Sequence, residues 1–84
     1  MIVFEDKALF QYMQWGEEDR KILKKINALI KDMLRDPFNG IGKPEQLKHG
    51  LSNHWSRRIT DEHRLVYKVE NAQIIIASCK YHYE

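Results

Sequence analysis

Eighty-four residues, a mass of 10.1 kDa, allow one domain with one thin core, because a chain this short buries roughly 60% of the surface it exposes unfolded. At 43% hydrophobic, 11% aromatic and 31% charged, the composition excludes a disordered chain. The longest apolar run, Ile74 to Ala77, falls far short of the ~20 residues of a bilayer-spanning helix. The net charge of +2 conceals an asymmetry: residues 1–19 hold one basic against five acidic residues, and residues 20–84 hold 13 against 7. A basic field of that kind gathers polyanions such as phosphates.

The opening stretch, Met1 to Phe4, reads as a short strand. Glu5 and Asp6 follow at once, which is no signal-peptide pattern. Asp6 is predicted to cap a first helix running to about Trp15, with Leu9, Tyr12 and Met13 at helical spacing and Gly16 as its stop. Glu17, Glu18 and Asp19 are expected to open a second helix, where negative charge suits the helix dipole. Its apolar stripe is Ile22, Ile26, Leu29, Ile30, Met33 and Leu34, with Lys24, Lys25, Lys31 and Arg35 off the stripe. Pro37 ends it at Asp36. A loop extends to Pro44, after which the period falls to two. Trp55–Ile59, Arg64–Glu70 and Gln73 to about Tyr81 are predicted as an antiparallel meander, turning at Thr60–His63 and at Asn71-Ala72. The expected architecture is therefore α+β, an antiparallel sheet of four to five strands with a mixed edge and two N-terminal helices packed on one face. The other face stays partly open, since no chain remains to cover it.

Strand parity sorts the chemistry between the two faces. Leu65, Tyr67 and Val69 oppose Arg64, Val66 and Lys68; Trp55, Arg57 and Ile59 oppose Ser56 and Arg58; Ile75, Ala77, Cys79 and Tyr81 oppose Ile74, Ile76, Ser78 and Lys80. If the Leu65 face meets the helices, Arg64 and Lys68 point out of that layer. Arg57 and Arg58 must point opposite ways, so one of them has to pair with an acid on the helix side or reach the rim. His54 and His63 flank turns and are expected to be solvated. The single cysteine, Cys79, forms no internal disulfide and sits mid-strand among apolar neighbours, a poor nucleophile. No metal-ligand spacing, phosphate loop or dinucleotide glycine pattern occurs. What survives is a carboxylate (Glu45), an imidazole (His82) and several cations, namely Lys48, His49, Arg58 and Arg64. Such a set suits metal-independent cleavage of RNA through its own 2′-hydroxyl: a base for the attacking oxygen, an acid for the leaving oxygen, and positive charge for the phosphorane. Tyr81 and Tyr83 would offer stacking surfaces to unpaired bases.

The residues also carry a resemblance. Lys24-Lys-Ile-Asn-Ala-Leu-Ile-Lys-Asp32, Asp36-Pro-Phe-Asn-Gly-Ile-Gly-Lys-Pro-Glu45, Leu47-Lys-His-Gly-Leu-Ser52, the segment Trp55–Tyr67 and the ending Tyr81-His-Tyr83 follow one pattern in order. The chain closely resembles the YoeB (Txe) toxins of the RelE superfamily over nearly its full length. The resemblance implies one RelE-like toxin domain over residues 1–84, in a bacterial type II toxin–antitoxin pair. It implies a cytoplasmic endoribonuclease that cuts mRNA in the ribosomal A site, needs no cofactor, is silenced by a YefM-type antitoxin and pairs as a homodimer. Position by position, it makes Glu45 the general base, His82 the general acid, Arg64 the group that stabilises the transition-state phosphate, and Tyr83 a residue that orders the substrate. Lys48, His49 and Arg58 match positions that contact RNA, and Lys24, Lys25 and Lys31 would face ribosomal RNA. One departure is Glu84, beyond the tyrosine at which the family pattern stops. Its charge would favour protonated His82 and repel the scissile phosphate. A non-catalytic ParE-like toxin and a plain RNA- or antitoxin-binding module are the alternatives on the same scaffold. The joint presence of Glu45 and His82 favours the enzyme, since a binder needs neither.

Overall fold

The computed structural model of the chain describes residues 1–81, in which β1 (Ile2–Phe4) leads into α1 (Asp6–Glu18) and α2 (Arg20–Arg35). A loop then reaches β2 (Glu45–Gln46), a 3₁₀ turn (His49–Leu51), β3 (Trp55–Arg58), β4 (Arg64–Glu70) and β5 (Gln73–Ser78). The five strands lie in the order β1-β5-β4-β3-β2. β1 runs parallel to β5, pairing Ile2 with Ile74, and every other pair is antiparallel. The expected mixed-edge α+β sheet is thus present, with the two-residue β2 as its fifth strand.

α1 does not stop at Gly16. It continues to Glu18, because a glycine inside a helix costs only about 1 kcal/mol, and the break comes where a better device exists. That device is Asp19, extended at φ −157°, whose carboxylate accepts the Lys21 and Ile22 N–H groups at 3.1 and 3.3 Å and caps α2. Glu17 and Glu18 therefore close α1 instead of opening α2. Glu18 regains a partner in Lys80, 3.2 Å away. Nor does Asp6 cap α1: the cap position is Glu5, and Asp6 lies in the first turn. α2 ends at Asp36 ahead of Pro37 as anticipated, and Leu34, predicted on the apolar stripe, is 57% exposed.

Both helices cover one sheet face. Ala8 and Trp15 of α1 and Ile26, Leu29 and Met33 of α2 pack with Leu65, Tyr67, Ile74, Ile76 and Cys79. The β4–β5 hairpin turns through Asn71 (φ 50°) and Ala72 (φ 62°), the doubly left-handed geometry that matches strand twist. Parity holds along β3 and β4 but fails on β5. Val66 pairs with Ser78 while its neighbour Tyr67 pairs with Ile76, so β5 carries an extra residue at Ala77. That bulge moves Cys79 to the side of Ile74 and Ile76, fully buried, instead of the side of Ile75 and Ala77. Burial pushes the Cys79 thiol up to about 12, so it is inert at neutral pH.

Candidate functional site

The register of β2, β3 and β4 decides which side chains can meet. Glu45 pairs with Ser56, Ser56 with Val66 and Val66 with Ser78, so these four form one row across the face without helices. Arg58 pairs with Arg64 in the next row of that face. Glu45 is therefore a diagonal neighbour of Arg58, with roughly 7–8 Å between backbones, a span that long side chains cross. The three expected residues Glu45, Arg58 and Arg64 occur together because β2, only two residues long, adds itself to the sheet edge.

Two features of the preceding loop place β2. Gly42, at φ 80°, accepts the Arg58 N–H at 2.7 Å on its carbonyl, which ties the loop to β3. A Cβ there would lie 2.6 Å from Leu29 Cδ2 and 3.2 Å from Arg57 Cβ, so only glycine fits. The second feature is Arg57, wholly buried on the helix side. Its guanidinium donates to Asp32 Oδ2 (2.6 Å), to the carbonyls of Asp36 (2.7 Å), Asn39 (3.2 Å) and Ile41 (3.1 Å), and through Nε to the Tyr67 hydroxyl (3.1 Å). Tyr67 in turn donates to the Pro37 carbonyl at 2.6 Å. One buried cation thus gathers the 36–41 loop onto the sheet. The Asp32 carboxyl is held down at about 2, chiefly by its bond from Arg57 and then by Arg35 and the Ile41 N–H. This resolves the expectation for the two adjacent arginines: Arg57 takes the helix side and pairs with acid.

On the open face, two cations stand directly opposite each other, an arrangement that is unfavourable in a sheet unless an anion bridges them. Arg58 is exposed, and its ion pair with the almost fully exposed Asp61 is long at 3.5 Å. Arg64 is half-buried. Its Nη1 donates to the carbonyls of Thr60 (2.6 Å), His63 (3.1 Å) and Asp61 (3.2 Å), which holds the guanidinium against the β3–β4 turn. Among the described residues, the side-chain bonds of Arg64 run through Nη1. Lys48 and His49 are exposed on the β2–β3 connection, His49 with φ 61°. No hydrogen bond or ion pair among the described residues joins their side chains to Arg58 or Arg64. His82, Tyr83 and Glu84 lie outside the described residues.

Beside the Ser56–Val66–Ser78 row lies a cleft of about 480 Å³, walled by Lys7, Leu51, His54, Lys80 and Tyr81. Tyr81 is exposed, as expected of a stacking surface. The two turn histidines are not solvated. His54 is half-buried with its Nδ1 enclosed, and His63 is only 7% exposed. Trp15 and Tyr81 pack against the His63 ring, a contact that local sequence does not reveal. Lys7 and Lys80 reach the cleft from α1 and from beyond the bulge, a convergence that spacing along the chain does not show. Among the described residues, no three His, Cys, Asp or Glu side chains converge as a metal site requires.

Comparison with known proteins agrees with this architecture. Residues 4–83 match the family model described as YoeB-like toxin of bacterial type II toxin–antitoxin system. Toxin YoeB of Escherichia coli K12 is 55% identical over 82 residues, 98% of each chain. A YoeB/ParE toxin from Agrobacterium tumefaciens superposes with a TM-score of 0.95 at 40% identity, covering 98% of both chains. YoeB of Staphylococcus aureus has been solved in a heterotetrameric YoeB–YefM complex (TM-score 0.91, 50% identity, 99% of this chain and 97% of that one). A YoeB dimer from Staphylococcus aureus gives 0.90 at 51% identity, covering 98% and 95%. With a family model matched over residues 4–83, relatives more than half identical and a five-strand sheet covered by two helices, this chain belongs to the YoeB-like toxins of bacterial type II toxin–antitoxin systems.

Proposed function

We propose that the protein is an mRNA interferase: a ribosome-dependent endoribonuclease that cuts mRNA in the A site and so halts translation. The observation that carries this reading is the cross-strand register that sets Glu45 beside the facing pair Arg58 and Arg64 on the uncovered sheet face. Glu45 removes the proton from the ribose 2′-hydroxyl, whose oxygen attacks the adjacent phosphorus. Arg64, already braced by three carbonyls, meets the charge that grows on the phosphorane oxygens, where a preorganised donor is worth most. His82 protonates the departing 5′-oxygen, and Tyr83 orders the substrate. The products are a 2′,3′-cyclic phosphate and a 5′-hydroxyl, with no step assigned to a metal. Arg58, Lys48 and His49 contact RNA phosphates, and the exposed Lys24, Lys25 and Lys31 face ribosomal RNA.

The partners follow by the same reasoning. One Staphylococcus aureus YoeB structure is a complex with YefM and another is a YoeB dimer, which supports a YefM-type antitoxin and a homodimer for this chain. The cytoplasm, where ribosomes translate, is the proposed compartment.

The test is cleavage on translating ribosomes. Glu45→Ala, Arg64→Ala and His82→Ala should each lower the rate by at least about 100-fold while the circular dichroism spectrum keeps its native shape. Full activity in any of the three removes that residue from its role. Full activity in all three refutes the reading.

A further inference from the structure

The cleavage chemistry leaves unused the cleft of about 480 Å³ beside the Ser56–Val66–Ser78 row. Its floor continues the Glu45–Arg58–Arg64 face. Val66 follows Arg64 by two residues on the same side of β4, about 7 Å along the strand, and Ser78 is its partner on β5. Another wall comes from α1, whose N-terminus is fixed to the sheet by the Glu5 N–H, donating to the Ile76 carbonyl at 2.9 Å.

The walls differ in chemistry. Tyr81, 57% exposed, supplies an aromatic surface. Lys80 lines the cleft too, but its ammonium is paired with Glu18 at 3.2 Å and lies over the Trp15 ring at 4.8 Å. Lys7 is exposed on α1 and joins no ion pair among the described residues. Glu5 carries the opposing charge at the start of the same helix, so a phosphate in this cleft belongs beside Lys7. An aromatic surface to stack on and one unpaired cation are what a single nucleotide requires of a site. The volume also suits one small ligand, for which sites span roughly 300–1,000 Å³.

Which nucleotide enters follows from the direction of the cleavage step. The attacking and leaving oxygens of a reacting phosphoryl group lie roughly in line. Glu45, at the β2 edge, serves the 2′-hydroxyl, so the 5′-oxygen leaves on the side away from β2, toward β4, β5 and the cleft. We propose that this cleft is a subsite for the nucleotide on the 3′ side of the cut, with its base stacked on Tyr81 and its own 3′-phosphate held by Lys7. The inference rests on the nuclease reading above.

Paired changes in protein and message test each contact. Messages programmed on ribosomes carry, 3′ of the cut, the natural nucleotide, an abasic residue, or a nucleotide with methylphosphonate in place of its 3′-phosphate. Tyr81→Leu should slow single-turnover cleavage of the natural message at least about fivefold, and of the abasic message less than about twofold. Lys7→Ala should slow cleavage of the natural message about threefold, and of the methylphosphonate message less than about twofold. Equal losses on natural and modified messages, or no loss on either, would overturn the proposal. Lys7 is exposed, so the second pair decides the matter if Tyr81→Leu fails to fold.

A binding measurement separates this site from the chemistry. The probe is a trinucleotide with 2′-deoxyribose at its middle position and a 3′-terminal phosphate, titrated into the isolated protein. The Lys7, Ser78 and Tyr81 amides should shift in nitrogen-15 spectra, and Lys7→Ala should weaken binding about threefold. Unmoved amides would overturn the proposal. If wild type leaves the all-ribose message whole while the trinucleotide still moves these amides, the nuclease reading fails and the nucleotide site stands.

Discussion

Arg57 and Arg58 occupy consecutive positions of β3, and the pleat sends one into the helix-covered layer and the other to the open face. Inside, every donor of Arg57 meets an acceptor, and its partner Asp32 is ionised deep into acid. Outside, Arg58 makes a long contact with the solvated Asp61 carboxylate and faces Arg64, another cation. The same side chain is a structural tie where it is buried and saturated, and a solvent-facing charge where it is not. Like charges directly opposite each other on a sheet are mutually unfavourable, and departures from local rules of this kind collect at functional sites.

Arg57→Met should strip Asp32, Tyr67 and three loop carbonyls of their common donor and cost about 3–5 kcal/mol, read from urea unfolding. A loss under about 1 kcal/mol would show that the 36–41 loop does not depend on it.

Acid should weaken the same tie. In the folded chain Asp32 titrates at about 2, against 3.8 for an unperturbed aspartate. On acidification the unfolded chain takes up that proton first, so the stability Asp32 contributes is present above about pH 4 and is lost as pH falls toward 2. Asp36, lowered by the Phe38 N–H, acts in the same direction. Thermal midpoints measured from pH 5 to pH 2.5 should therefore fall less steeply in Asp32→Asn than in wild type. Equal slopes would contradict the assignment.

The functional side gives the smallest structural change. Arg58→Ala should leave stability within about 0.5 kcal/mol, as an exposed, weakly paired arginine does. Cleavage on ribosomes should nonetheless drop roughly tenfold, about the worth of one charge-assisted bond. An equal loss of stability would erase the distinction between the two arginines.

Much of this was legible in the chain itself. The 3.6-residue stripe located α2, the period-two stretch after Arg64 matched β4 from end to end, and adjacency alone required Arg57 and Arg58 to part. Motif resemblance, more than spacing, singled out Glu45 and Arg64. What stayed hidden depends on distant chain. The Ala77 bulge, set by pairing with β4, reversed the side taken by Cys79. The partner of Arg57 is an aspartate 25 positions away. His63 looked solvated at a turn, yet Trp15 and Tyr81 close over it from the two ends of the sequence. A two-residue strand such as β2 has no period to detect, and it is β2 that brings Glu45 to the cations.

In the proposed function, the Glu45–Arg58–Arg64 face breaks RNA through the 2′-hydroxyl of the nucleotide it cuts. The most direct measurement uses a message with a single 2′-deoxyribose at the scissile A-site position, translated beside its all-ribose twin. The all-ribose message should be cut to a cyclic phosphate and a 5′-hydroxyl, and the substituted linkage should stay intact. Cutting of the deoxyribose linkage at a comparable rate would contradict the account.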